Sequence, residues 1–191
     1  METTSNLKIA IRFTLVTTVL LGLIYPLAIT GFAHLAMRPN ADGQLIVRDG
    51  KVIGSGLIGQ NFSGDIYFHG RPSAAGNGYD AANSGGSNYA QSNKKLVDRI
   101  QGDVTKYQQG DTAKTVPIDL VTASGSGLDP DITPAAALFQ VHTVAAARHL
   151  SDDAVRKIVE SHIQGRQFGI LGEPRVNVLQ LNLDLDALSA R

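Results

Sequence analysis

The run from Phe13 to Ala33, FTLVTTVLLGLIYPLAITGFA, constrains the fold more than any other stretch of the chain. It holds no charge over about 21 residues, and a helix of that length crosses a hydrocarbon core roughly 30 Å thick. In lipid a lone segment must satisfy its backbone polar groups internally, so it has to be helical. Lys8 and Arg12 flank its start, where long cationic side chains reach toward headgroups. A core helix of a soluble domain would be shorter and carry a polar face. A cleaved leader would have a shorter apolar region followed by small residues, and Ala33-His34-Leu35-Ala36 lacks a clean A-x-A. The chain therefore reads as a polar tail over residues 1–8, a transmembrane anchor over 9–37 and one soluble domain over 38–191. The expected fold class is a single amino-terminal transmembrane helix plus one mixed α/β (α+β) soluble domain. Within the anchor, Thr14, Thr18, Gly22, Pro26 and Thr30 form a small-residue stripe at every fourth position, the pattern that lets a second helix approach. Pro26 should bend the helix and free one backbone carbonyl.

Roughly 150 residues remain after the anchor, enough for one cored domain. Lysine plus arginine and aspartate plus glutamate each total 17, so no basic field invites nucleic acid. Cysteine is absent, which excludes disulfides, thiol catalysis and cysteine–metal sites. Lys8 and Arg12 before the span are balanced by Arg38 and Arg48 after it, so charge bias leaves the orientation open.

In chain order, residues 1–7 read as a frayed polar end, and Pro39–Gly43 as a linker of turn formers. Gln44–Arg48 and Lys51–Leu57 read as strands joined by Asp49-Gly50, a pair that tolerates the positive φ of a type I′ turn. From Gly59 to Ser92 the chain is rich in glycine, asparagine and serine with spaced aromatics, which is long for a structureless loop and marks function. Asn93 or Ser92 caps a helix to about Gln109, stopped by Gly110, with Leu96, Val97, Ile100 and Val104 on its apolar side. Val116–Thr122 reads as a strand and Ala123–Asp131 as a turn-rich linker. Thr133-Pro134 opens a second helix, and Ser151, followed by Asp152 and Asp153, opens a third to about Ile163. Gln164–Pro174 reads as a loop, Val176–Leu183 as a final strand, and Asp184–Arg191 as a short, helix-compatible tail.

Chemical motifs are few. Gly54-Ser55-Gly56-Leu57-Ile58-Gly59 fits G-x-G-x-x-G, but turn residues follow where a dinucleotide site needs a helix. There is no G-x-x-x-x-G-K-[ST] and no Asp-Lys-Thr-Gly, so neither familiar route of nucleotide hydrolysis is encoded. His34, His69, His142, His149 and His162 make no H-E-x-x-H, and Asp129 with Asp131 reads as turn capping rather than calcium binding. Ser73, Ser84 and Ser87 lie among glycines without an evident base, leaving a membrane-anchored extracytoplasmic hydrolase as the alternative reading. The Asn83–Asn88 run, NSGGSN, can present backbone N–H groups to an anion or simply form a glycine turn carrying Tyr89.

Several blocks then fall in a recognisable order. They are Gly54–Phe62 (GSGLIGQNF), Tyr67–Ala74 (YFHGRPSA), Tyr79–Asn88 (YDAANSGGSN), Ser124–Pro130 (SGSGLDP), Ile132–Ala137 (ITPAAA) and Leu171–Val178 (LGEPRVNV). Together they resemble the KdpC family, the C subunits of bacterial Kdp potassium-transporting P-type ATPases, over essentially the whole chain. One departure is His142-Thr143, where the family pattern reads Pro-Arg; Arg148 remains as a basic residue nearby.

The resemblance implies a non-catalytic subunit of an ATP-driven potassium uptake complex in the bacterial cytoplasmic membrane. Its partners would be a channel-like potassium-translocating subunit, a P-type ATPase subunit, a very small membrane subunit and the lipid bilayer. The family's arrangement places the amino terminus inside and the domain outside. It also implies a role in assembly and as a catalytic chaperone raising ATP affinity, with no intrinsic cofactor. Ser84, Gly85, Gly86, Ser87 and Gln140 are the positions carried over for nucleotide contact. ATP is consumed inside, and one span cannot carry a folded domain across, so any effect on ATP affinity must be a coupling free energy through the partners. The Gly59–Ser92 segment supplies the expected subunit-interface residues: Tyr67, Phe68, His69, Arg71, Tyr79, Asp80, Asn83, Asn88 and Tyr89.

Overall fold

The computed structural model describes residues 2–109 and 113–189. The chain divides into two units, Met1–Leu45 and Ile46–Arg191. The first is helical almost throughout: α1 (Glu2–Val19), a π-helical turn (Leu20–Ile24), α2 (Tyr25–Ala36) and a one-turn α3 (Arg38–Ala41). The helix therefore begins at Glu2, where the polar pattern read as a frayed end. Pro39 and Asn40 sit inside α3 rather than in an open linker, because proline at the first helical turn loses no needed donor. Thr4–Ala36 is long and apolar enough to cross a membrane by length and composition.

The π turn lies immediately before Pro26. Proline has no N–H for the regular ladder, and the helix responds by widening, with the Tyr25 N–H bonded to the Leu20 carbonyl. This bears on the small-residue stripe. A four-residue repeat drifts by roughly 40° per step on a 3.6-residue helix. The wider π turn reduces that drift between Gly22 and Pro26, keeping the stripe closer to one face. Thr17, off the stripe, turns its hydroxyl back to the Phe13 carbonyl at 2.8 Å, hiding a donor without a partner helix.

The second unit opens with the hairpin β1 (Leu45–Arg48) and β2 (Lys51–Ser55). Its turn residues have positive φ as the sequence predicts, Asp49 at 52° and Gly50 at 73°. A three-stranded antiparallel sheet has the order β3 (Asp131–Ile132), β5 (Arg175–Asn177), β4 (Ile163–Gln164). Val176 pairs with Ile132 on one side and Ile163 on the other. Against it stand α5 (Pro134–Arg148), α6 (Asp152–Ser161) and α7 (Val178–Ser189), while α4 (Lys94–Gln108) follows the glycine-rich segment. The capping expectations hold: Asn93, Thr133 and Ser151 accept from Lys95, Ala136 and Ala154 N–H groups. α4 ends at Gln109 with φ 50°, and Gly110 lies outside the described residues. Val97, expected on the apolar side of α4, is exposed.

Two expected strands are corrected. Val116–Thr122 contains a 3₁₀ turn, Ile118–Leu120, because Pro117 removes a ladder donor and fixes φ at −59°. Within Val176–Leu183 only Val176 and Asn177 are extended; α7 begins at Val178. Val178, Leu179, Leu181, Asn182 and Leu185 are the buried positions there, a helical spacing and not an alternating one. Asn177 starts the helix by accepting from the Gln180 N–H at 3.1 Å. The helix-compatible tail is thus the continuation of α7, as far as Ser189.

The core joins α5, α6, α7 and the sheet through Val141, Val144, Val155, Val159, Val176, Leu181 and Leu185. Ala136, Ala137 and Ala145, all fully buried, let these elements approach closely. The irregular segment contributes Phe68, fully buried, to this cluster, and Ala75 is fully buried as well.

Candidate functional site

Residues 59–92 contain a single 3₁₀ turn, Ala81–Asn83, among otherwise irregular backbone, yet they are fixed at many points. Phe68 is the central anchor. The Asn182 amide, on α7, accepts from the Phe68 N–H at 2.9 Å and donates to its carbonyl at 3.0 Å. The next residue is held in the same way from α5: Gln140 accepts from the His69 N–H at 2.8 Å and donates to the His69 carbonyl at 3.1 Å. Two side-chain amides thus replace a neighbouring strand for Phe68 and His69, satisfying peptide groups that burial would otherwise strand.

A second brace lies beside the first. The Arg148 side chain, 6% exposed, pairs with Asp186 at 2.8 Å and lies 5.0 Å from the Tyr67 ring centroid. Its Nε donates to the Ile66 carbonyl. Tyr67 completes the group by donating to Asp186 at 3.4 Å and packing against Phe62.

Further along, the segment is tied to the Ser124–Asp129 turn. Arg71 donates to the Thr122 carbonyl at 3.2 Å and to Asp129 at 3.2 Å. The Ser73 hydroxyl donates to the Gly127 carbonyl at 2.6 Å and accepts from the Ala75 and Tyr79 N–H groups. Ser73 is therefore engaged with backbone on both its donor and acceptor sides. Gly59 and Gly54 are explained by packing. A Cβ on Gly59 would lie 2.5 Å from the Asp129 carbonyl oxygen, and one on Gly54 would lie 2.8 Å from the Leu179 side chain. No helix follows the G-x-G-x-x-G pattern before Ala81.

Tyr79 sits at φ 56°, held there by Ser73 and by its own hydroxyl, which donates to the Arg71 carbonyl at 2.6 Å. Burial and then the Asp129 charge push its pKa up to about 12, with Arg71 acting against them. An unfolded tyrosine titrates near 10. Between about pH 10 and 12 the native phenol keeps a proton that the unfolded chain has released, so stability should fall across that window and be level below it. Urea unfolding at pH values on both sides of 10 checks this, and Tyr79→Phe should flatten the decline.

The sequence-predicted positions separate into distinct places. Phe68 and Gln140 belong to the interior, and the Gln140 amide is engaged with His69. Ser84–Ser87 lie against the Ser124–Ser126 turn: Gly85 N–H donates to the Ser126 carbonyl at 2.8 Å, and the Ser84 hydroxyl donates to the same carbonyl at 3.0 Å. One N–H of that run is thereby already bonded within the chain. Asp80 caps the 3₁₀ turn by accepting from Ala82, and holds the Asn83 amide at 2.7 Å; the latter bond is the main cause lowering its pKa. Asn88 has φ 52°, and Tyr89 is 42% exposed. Asp129 stabilises a turn through the Asp131 N–H at 3.1 Å. His142, the departure from the family pattern, is exposed and faces Asp152 at 3.0 Å; Arg148 is inside and does not take the place of a surface cation. Among the described residues, no group of three or more His, Cys, Asp or Glu is placed to hold a metal. Sequence reasoning missed Asn182 and Asp186. The run Leu179–Leu183 carries two amides, Gln180 and Asn182, and only their helical placement, Gln180 exposed and Asn182 buried, tells them apart.

This braced segment and its turn partners hold three of the ordered blocks, Tyr67–Ala74, Tyr79–Asn88 and most of Ser124–Pro130. A family model described as KdpC: K+-transporting ATPase, c chain, matches residues 7–187. The chain belongs to the KdpC family. A Potassium-transporting ATPase KdpC subunit from Koribacter versatilis is 56% identical over 181 residues, covering 95% of this chain and 94% of the relative. Another with that description, from Acidobacterium capsulatum, is 56% identical over 184 residues, covering 96% and 99%. One from Rhodopseudomonas palustris is 53% identical over 198 residues, covering 97% and 98%. In this KdpC-family chain, all six sequence blocks fall within the matched residues.

Proposed function

We propose that this chain is the accessory subunit of a potassium-transporting ATPase and acts by holding membrane partners together. The observation that carries this reading is the family match over residues 7–187, which takes in the apolar helix and the braced segment alike. The helix Thr4–Ala36 crosses the cytoplasmic membrane with its amino terminus inside, and the second unit lies outside. Thr14, Thr18, Gly22, Pro26 and Thr30 receive a partner helix. The segment from Gly59 to Ser92 touches the channel-like potassium-translocating subunit. Support for this comes from its physical character: irregular backbone fixed by buried amides and an ion pair offers a preformed surface, with little ordering cost on binding. Tyr79, Asp80, Asn83, Asn88 and Tyr89 face that partner. Any influence on ATP affinity passes to the P-type ATPase subunit as a coupling free energy between sites.

Replacing Tyr79–Asn88 by a short glycine–serine linker should abolish co-purification with the channel-like subunit. The thermal transition of the variant is measured alongside, and Tyr89→Ala, which leaves the braces intact, should weaken recovery of the complex in the same direction. Unchanged assembly in both variants rejects the interface. Protease added to intact spheroplasts should cut the second unit; protection from outside would reject the orientation.

A further inference from the structure

A cleft of about 150 Å³ lies between the start of the braced segment, the end of α4 and one face of α5. Its walls include Asp65, His69, Lys106, Tyr107, Lys114 and Phe139. Tyr107 and Phe139 meet edge to face, with centroids 6.2 Å apart, and form an aromatic floor. Two cations stand over that floor. Lys114 Nζ is 4.3 Å from the Phe139 centroid, and Lys106 Nζ is 5.7 Å from that of Tyr107. Among the described residues neither ammonium is paired with a carboxylate, although the exposed Lys94 is, with Asp98 at 2.6 Å. A ring face is a weaker partner for an ammonium than an oxyanion, and among the described residues the cleft lining sets two ammonium groups against one carboxylate, Asp65, above an apolar surface.

We propose that this cleft binds a small organic anion, one phosphate or carboxylate group carried on an apolar body. The anionic group lies between Lys106 and Lys114, and the body rests on Tyr107 and Phe139. A cavity near 150 Å³ accommodates a body about the size of a benzene ring. His69 provides an internal reporter. Its pKa is lowered by burial and then by Lys106, against a raising influence from Asp65 and from the Phe62 and Gly64 carbonyls. Asp103, Arg71, Tyr79 and Tyr107 face the neighbouring cleft that His69 also lines. An anion seated on Lys106 offsets part of that repulsion and, as a negative charge near the imidazole, favours its protonated form.

The test uses the full chain in phosphatidylcholine nanodiscs, with phenyl phosphate as the probe and histidine-labelled NMR as the readout. Saturable binding should weaken about ten-fold or more in Lys106→Gln and in Lys114→Gln, the loss expected for one charge-assisted contact. It should be unchanged in Lys94→Gln, and the His69 midpoint should rise at saturation. Displacement by phosphatidylglycerol nanodiscs would identify the natural source as a lipid headgroup, and its absence a free solute; either result presupposes the site. The proposal is overturned if binding is not saturable, if Lys94→Gln weakens it as much as the cleft variants, or if the His69 midpoint does not move. Inorganic phosphate binding as tightly as phenyl phosphate also overturns it, since the aromatic floor would then contribute nothing.

Discussion

Asn182→Ala should destabilise the second unit by about 3 kcal/mol, with the urea slope unchanged. Asn182 is fully buried, and its amide meets both the N–H and the carbonyl of Phe68 at 2.9 and 3.0 Å. Removing it leaves two buried backbone groups without partners, each costing about 1–3 kcal/mol, and adds a small cavity. Partial access of water to a relaxed loop keeps the total toward the lower part of that range. The loss matters against a whole-domain stability of about 5–15 kcal/mol. Gln180→Ala, on the exposed side of the same helix, is the control and should stay within about 0.5 kcal/mol. Gln140 holds the adjacent peptide, so Asn182→Ala and Gln140→Ala should not be additive: once one amide is gone, the strip is partly released and the second loss is smaller. Hydrogen exchange at the Phe68 and His69 amides should accelerate in either variant. If Asn182→Ala matched Gln180→Ala in stability, the amide clamp would not be what holds the segment.

These clamps mark the limit of what residue order can tell. The apolar helix, the Asp49-Gly50 hairpin and the caps at Asn93, Thr133 and Ser151 are legible because each rests on neighbours within a few positions, where local chemistry decides the geometry. The stretch from Val176 to Leu183 reads wrongly as a strand for a physical reason. Val176 and Asn177 are extended, Asn177 caps α7, and the leucines then take a helical spacing that coincides with alternation at Leu179, Leu181 and Leu183. The burial of Asn182, between Leu181 and Leu183, is what breaks the alternation, and burial is a tertiary fact. The candidate site is legible as a segment from its glycines and spaced aromatics. Its internal assignment is not: Gln140 and Arg148 hold that segment from 71 and 82 residues away, a pairing that no local spacing encodes.

Arg148→Met should cost about 3 kcal/mol, and Arg148→Lys should recover little of it. The guanidinium of Arg148 reaches Asp186 at 2.8 Å, lies over the Tyr67 ring and donates from Nε to the Ile66 carbonyl. Methionine keeps the apolar stem but leaves the Asp186 carboxylate and the Ile66 carbonyl without that donor. Breaking one side of a buried pair typically costs about 3–5 kcal/mol, and the 35% exposure of Asp186 places this case at the lower end. Lysine restores a charge but not a planar group that can serve a carboxylate, a carbonyl and a ring face together. Replacing both partners, Arg148→Met with Asp186→Leu, should return much of the loss, because the uncompensated charge disappears. The double-mutant cycle therefore predicts a favourable coupling of about 2 kcal/mol or more, nearly independent of salt because Arg148 is shielded from solvent. A coupling near zero would mean that Tyr67 stacking and packing alone secure this end of the segment. The same variants separate folding from function. Arg148→Met with Asp186→Leu restores stability yet leaves the Ile66 carbonyl and Tyr67 without their partner, so recovery of the ATPase complex should remain below that of the parent chain.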